Sequence, residues 1–275
     1  MWQPDPEWRS RPGGLGASTV GLWETTADGR DWVVKRLARP TADDAAELNR
    51  PSHFGYWRRE AEVALGGLST TGLVAPAVRL VEEDHEGITI WSAAIVPSDV
   101  PGPFAARALG RFAAGPVNDE PWLCRDLLAD RMARAEERGG WTTLARTTVA
   151  DLADRLWERR RGLLEQFTAL PAVCSHGDAV PRNLLSIRGE DVVAVDWSSL
   201  GVAPIGAEAG YFALSSREDF DVLLDAYLDG VREGGLAVDR EQALLGARIM
   251  AVYTVLSQAE WALSRASKGP GALAG

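Results

Sequence analysis

Lysine is almost missing from this sequence. Of 275 residues 29 are basic, and only two of those, Lys35 and Lys268, are lysine; the rest are arginine. Cysteine is as scarce, with Cys124 and Cys174 alone. Two thiols make neither a disulfide framework nor a cysteine-based metal cluster, so a reducing, cytoplasmic setting is expected. No run of about 18 apolar residues occurs, so no membrane-spanning helix and no membrane partner are expected. The opening MWQPDPEWRS has no basic-then-apolar signal pattern either. Basic runs are also missing. With 39 acidic residues and a formal charge of −10, the chain has no cationic face for a phosphate backbone, which argues against nucleic acid. What is present is a globular composition, 46% hydrophobic and 25% charged, long enough for one large domain or two lobes.

The first part of the chain reads as strands with one helix. Residues 20–25 and 32–37 are short apolar runs joined across Asp28-Gly29, a hairpin signal because both residue types tolerate positive φ. Helical spacing of Trp57, Ala61, Ala64 and Leu68 predicts a helix over 54–68. Two more strands are predicted at 74–82 and 87–96. Prolines and a glycine at 97–103 mark a hinge. Beyond it, helices are predicted at 104–114, 122–138, 149–170, 217–233 and 240–264, interrupted by two short strands around a turn at 188–191. Residues 267–275 read as a loose tail. The expected organisation is an N-lobe over 1–96, the hinge over 97–103, a helical C-lobe over 104–266 and the tail.

One stretch carries chemistry. Ser175-His176-Gly177-Asp178-Ala179-Val180-Pro181-Arg182-Asn183 is followed by the apolar run Val192-Val193-Ala194-Val195 and then Asp196-Trp197. Phosphoryl transfer needs a carboxylate facing the acceptor hydroxyl, with an amide and a second carboxylate facing a metal on the nucleotide phosphates. In protein kinases the catalytic Asp and the metal-binding Asn are separated by four residues. Asp178 and Asn183 have that separation. Taken singly, each has an ordinary structural explanation as a turn former or strand end. Order and spacing set them apart.

Upstream, Lys35 sits inside the apolar run Val33-Val34-Lys35-Arg36-Leu37. A buried ammonium is costly unless it is paired. In a chain that otherwise uses arginine, a compact ammonium points to phosphate contact, for which the planar guanidinium is not equivalent. Glu60 is the first candidate partner and Glu62 the second; about 200° of helix separates them, so only one can face Lys35. The turn Gly13-Gly14-Leu15-Gly16-Ala17-Ser18 precedes the hairpin that carries the lysine. Its N–H groups can approach phosphate where no Cβ intervenes.

These five segments together resemble the aminoglycoside phosphotransferase and choline kinase-like family, with its protein-kinase-like fold. The resemblance spans Gly13 to Trp197 in the family's order. It implies an α+β, bilobal protein-kinase-like architecture with a small antiparallel-sheet N-lobe and a mainly helical C-lobe. It implies ATP and Mg²⁺ as cofactors, with Asp178 as catalytic base and Asn183 and Asp196 as metal ligands. Lys35, fixed by Glu60, would meet the nucleotide phosphates with Gly14, Gly16 and Ser18. His176 would brace the catalytic loop, and adenine would lie near 95–98. The family usually carries an Asp-Leu pair after its Asp-Trp motif to support that loop; here the corresponding stretch offers Glu208.

The expected activity is transfer of the ATP γ-phosphate to a hydroxyl of a small molecule such as an aminoglycoside, amino sugar or amino alcohol. Asp119, Glu120, Asp126 and Asp130 would suit a cationic acceptor. Two alternatives stand beside this reading: a kinase acting on Ser or Thr of a peptide precursor during natural-product maturation, and an inactive nucleotide-binding scaffold. The oligomeric state is not legible. The scarcity of lysine yields a direct expectation: Lys35→Arg keeps the charge and loses activity in a phosphate-transfer assay. Wild-type rates in that variant would contradict the assignment.

Overall fold

The Asp28-Gly29 turn adopts the positive φ its residue types allow, 54° and 70°. In the computed structural model, which describes residues 2–13, 16, 18–66, 70–116, 119–141 and 148–266, it closes the first hairpin. A short β1 (Arg9–Arg11) pairs with β2 (Thr19–Ala27), and the turn joins β2 to β3 (Arg30–Ala38). Helix α1 (Arg59–Gly66) follows, then β4 (Leu73–Val74), β5 (Val78–Glu83) and β6 (Gly87–Ala93). Five of these strands form one antiparallel sheet in the order β1-β2-β3-β6-β5. Its outer face is roofed by tryptophan. Trp2 and Trp8 of the N-terminal arm pack on Trp23 and Trp91, with ring centroids 5.2–6.2 Å apart. The Arg36 guanidinium lies 4.8 Å from the Trp2 ring and is paired to Asp84 at 2.7 Å.

The rest is mainly helical: α2 (Gly102–Ala113), α3 (Leu127–Glu137), α4 (Thr148–Glu158), α5 (Arg160–Thr168), and later α6 (Ala207–Ala213), α7 (Phe220–Glu233) and α8 (Arg240–Ala266). Between α5 and α6 lie β7 (Ala172–Ser175), β8 (Leu184–Arg188), β9 (Asp191–Ala194) and β10 (Gly201–Pro204). β7 pairs with β10, and β8 with β9. This is the bilobal α+β arrangement. No helix among the described residues is long and apolar enough to cross a membrane.

Several elements differ from expectation for identifiable reasons. The hinge prolines do not delay α2, because Pro103 falls in its first turn, where a missing N–H costs nothing. The helix predicted over 149–170 breaks into α4 and α5. The segments 54–58 and 122–126 precede their helices as turns and extended chain. The single strand predicted over 74–82 is two strands in different sheets: β4 pairs in parallel with β9, while β5 stays with β6. The predicted loose tail, with Lys268, lies outside the described residues.

β4 is therefore a stitch between the two parts, and Arg59 is another. The buried apolar cluster beneath the five-stranded sheet is small: Leu37, Trp57, Ala61, Ile88 and Ile90. The larger clusters lie around α2, α6 and α7, and around α3 and α8. Trp57 thus belongs to a core. At the base of α1 the fully buried Arg59 has no carboxylate partner among the described residues; all five of its N–H groups donate to main-chain carbonyls. Three acceptors, Pro51, His53 and Phe54, lie in the loop before α1 (2.6–3.1 Å). The other two, Trp122 (2.6 Å) and Ser198 (2.7 Å), lie in the helical part. Losing the guanidinium strands several buried acceptors. Arg59→Met is expected to lower unfolding free energy by roughly 3 kcal/mol or more in urea titrations; a loss under about 1 kcal/mol would contradict this role.

Candidate active site

Strand β3 runs between β2 and β6, with Lys35 opposite Leu22 on one side and Ile90 on the other. That register turns the Lys35 side chain toward α1 at only 8% exposure. Its ammonium lies 2.5 Å from Glu60 Oε2 and 3.4 Å from Asp196 Oδ1. Glu62 points elsewhere, paired to Arg58 at 2.6 Å, as the angular separation along the helix requires. Burial alone lowers an ammonium pKa, but Glu60 and Asp196 outweigh it and hold Lys35 above the ordinary lysine range. Burial pushes Asp196 upward, yet Lys35, the Ser198 hydroxyl and His176 outweigh it and hold the carboxyl below its usual range. Glu60 is raised by burial against the pull of Lys35. Two carboxylates share one ammonium, so the cluster is short of positive charge.

Asp196 stands at φ 62°, ψ 62°, a left-handed conformation that an Asp adopts at a cost of order 1–3 kcal/mol. The surroundings enforce it. Trp197 is buried against Phe112 and His176, and its indole N–H donates to the Ala194 carbonyl at 3.0 Å. The Asp196 side chain is aimed by Lys35 and by the Ser198 hydroxyl at 3.0 Å.

The loop between β7 and β8 holds the remaining candidates. The Asp178 N–H donates to His176 Nδ1 at 3.3 Å, so Nε2 carries the ring proton and donates to the Val195 carbonyl at 3.1 Å. His176 is fully buried and ties the loop to the chain just before Asp196. Gly177 needs its lack of a side chain: φ is 79°, and a Cβ would lie 2.4 Å from the Ser199 carbonyl oxygen. The Asn183 amide nitrogen donates to Asp178 at both the main-chain oxygen and Oδ2, each at 2.9 Å. That leaves the Asn183 carbonyl oxygen for another partner. Glu208, on α6, is buried and accepts from the Gly177 N–H at 3.1 Å and from the Ser175 hydroxyl. Its longer reach suffices to hold the loop.

Lys35, Glu60, Asp178, Asn183 and Asp196 line one cavity of about 610 Å³ between the sheet and the helical part. Leu22, Val33 and Ile90 of the sheet form one apolar wall and Leu185 and Val195 the facing one. Ala93, Ile95, Gly13, Gly16 and Arg11 also line the cavity. Gly14 lies outside the described residues. Ser18 is not among the lining residues; its carbonyl accepts the Ala38 N–H at 2.7 Å, pairing it to the end of β3. The acidic residues considered for a cationic acceptor are partly engaged elsewhere, Asp130 with Arg50 (3.2 Å) and Asp119 with Arg125 (2.8 Å).

The sequence model of the phosphotransferase enzyme family (APH) matches residues 8–243. The chain belongs to this family. A search of curated proteins by sequence returned no match. Among solved structures the phosphotransferase is similar to the macrolide 2′-phosphotransferase MphH from Brachybacterium faecium, with 18% identity over 96% of this chain and 88% of that one and a TM-score of 0.60. Choline kinase LicA from Streptococcus pneumoniae is 12% identical over 95% and 86%, with a TM-score of 0.59. The amicoumacin kinase hAmiN, solved with AMP-PNP, Ca²⁺ and Ami, is 13% identical over 94% and 86%, with a TM-score of 0.58. At these identities the likeness is one of fold, the protein-kinase-like fold, and the enzyme class follows from the family.

Among the described residues, no group of three or more His, Cys, Asp or Glu is placed to hold a metal by protein ligands alone. The donors beside the cavity are instead the Asn183 carbonyl oxygen and the Asp196 carboxylate. Few, hard oxygen donors fit a magnesium-type ion that takes its other ligands from phosphate and water. Two residues escaped sequence reasoning. One is Arg59, whose five donors meet main-chain carbonyls. Tyr211, on α6, donates its hydroxyl to Asp178 Oδ1 at 2.6 Å. A signal existed, since Tyr211 lies three residues after Glu208 and so shares its helix face.

Proposed function

We propose that this phosphotransferase moves the γ-phosphate of ATP to a hydroxyl of a small molecule. The observation that carries the reading is the convergence of Lys35, Glu60, Asp178, Asn183 and Asp196 on one cavity with apolar walls. The adenine fits the slot between Val33 and Ile90 on one side and Leu185 and Val195 on the other, with its edge toward Ile95. Lys35, fixed by Glu60, neutralises phosphate oxygens, and the glycine turn at Gly13 and Gly16 offers main-chain N–H groups to them. Asn183 and Asp196 would hold Mg²⁺, which when bound draws charge from the phosphates.

Asp178 orients the acceptor hydroxyl and takes its proton as the oxygen attacks the γ-phosphorus; the bond to the bridging oxygen breaks and ADP leaves. His176 and Glu208 keep the loop in place. The acceptor is a hydroxyl compound of the general kind handled by the macrolide, amicoumacin and choline kinases of this fold. An aminoglycoside, amino sugar or amino alcohol falls within that range. The peptide and scaffold readings have no observation of their own in support.

The test is phosphate transfer from Mg-ATP to a panel of macrolides, aminoglycosides, amino sugars, choline, homoserine and Ser/Thr peptides, followed by mass spectrometry. A small molecule is expected to gain one phosphate, and Asp178→Asn to slow that reaction by roughly 10²- to 10⁴-fold. Transfer at the wild-type rate by Asp178→Asn would remove Asp178 from the role of base, and transfer only to peptides would overturn the acceptor class.

A further inference from the structure

We propose that Tyr211 is a positioning residue for the phosphotransfer reaction, holding the Asp178 carboxylate in a single orientation toward the acceptor. The proposal rests on the role given to Asp178 above. The two carboxylate oxygens are anchored from different elements: Oδ2 accepts from Asn183 at 2.9 Å, and Oδ1 accepts from the Tyr211 hydroxyl at 2.6 Å. Asn183 belongs to the loop of Asp178 itself and moves with it. Tyr211 belongs to α6, so it ties the carboxylate to an element outside that loop. With both anchors in place the carboxylate cannot turn about its last bond without breaking one of them. A reacting group fixed this way loses little freedom on the path to the transition state.

Helix α6 is built to serve as that reference. Glu208 holds the Gly177 N–H from the same face, three residues before Tyr211, so one helix turn grips the loop at two points. The helix is itself fixed: Gly206 and Gly210 pack so closely on α8 that a Cβ at either would lie 1.9 and 2.1 Å from the carbonyl oxygens of Ala243 and Ala247. Tyr211 is 8% exposed and packs with the apolar side chains around α3 and α8.

The phenol is a durable donor. Burial, with Asp178 adding to it against the opposing Arg131, pushes its pKa up to about 12, so it stays protonated across the neutral range. The Arg131 guanidinium lies 5.3 Å from the centre of the Tyr211 ring, and no ion pair to a carboxylate engages it among the described residues. Its charge is left to act on the phenol face.

A hydroxyl so close to the base admits two other roles, each an outcome of the test. Tyr211 could occupy the acceptor's own position, so that removing its hydroxyl speeds turnover, or it could accept phosphate itself. The experiment uses the full chain with water as the acceptor. Steady-state hydrolysis of Mg-ATP is measured for wild type, Tyr211→Phe, Asp178→Asn and the double variant, together with Mg-ATP affinity by calorimetry and the mass of each protein after incubation.

Tyr211→Phe is expected to lower kcat by about 10- to 100-fold while leaving KM and the Mg-ATP dissociation constant within about twofold of wild type. In the Asp178→Asn background the same substitution is expected to change nothing further, because the group it positions has gone. A kcat within twofold of wild type, a faster enzyme, phosphate on Tyr211, or an equal fall on top of Asp178→Asn would each overturn the positioning role. Failure of the functional reading looks different: wild type would bind no Mg-ATP, or Asp178→Asn alone would leave hydrolysis intact, and the proposal would fall with it.

Discussion

The structure depends on one buried guanidinium. Arg59 sits at the start of α1 with all five donors spent on carbonyls, three in the loop before the helix and two across the cleft at Trp122 and Ser198. A buried cation is tolerable only when every donor is matched. Here the matching partners come from both sides of the cavity, so satisfying the charge fixes the helix against the helical part of the chain. Glu60 is the next residue, and its contact with Lys35 inherits that placement. Ser198 lies two residues after Asp196, so the same guanidinium steadies the loop bearing the second carboxylate on Lys35. The small apolar cluster under the sheet would not by itself set this geometry.

The other side of the site follows the same principle with different chemistry. The loop carrying Asp178 packs Ala179 and Val180 into the two large apolar clusters, and polar ties fix the rest: His176 to Val195, Glu208 to Gly177, Tyr211 to Asp178. The backbone strain at Asp196 is offset by the buried Trp197 beside it. Buried polar networks rigidify when fully satisfied. The elements around the cavity are thus fixed by groups that do not themselves line it.

Much of this was legible in the sequence, and the reason is local. The hairpin around Asp28-Gly29, Lys35 in an apolar strand, the choice of Glu60 over Glu62 and the Asp178–Asn183 spacing are short-range patterns, and the structure brings Lys35, Glu60, Asp178 and Asn183 to one cavity. What escaped depends on distant partners. Two-residue β4 is a strand only because β9 lies beside it, and the one run at 74–82 gave no sign that its ends join different sheets. Helix α6 has seven residues and no apolar periodicity to announce it. Arg59 gives no sign of its role in the sequence because its acceptors are main-chain oxygens, which carry no residue signature. Four of the tryptophans form a roof over the outer face of the sheet because the N-terminal arm folds back, a contact composition cannot encode.

The central claim is that Lys35, Asn183 and Asp196 form a site for a nucleotide with its divalent ion. It is tested most directly by calorimetric titration of ATP into wild type and Asp196→Asn, with magnesium present and with magnesium chelated. The account predicts that wild type binds Mg-ATP at least about tenfold more tightly than ATP alone, and that Asp196→Asn loses most of that difference. Equal affinities with and without magnesium in wild type, or no binding of Mg-ATP, would contradict it.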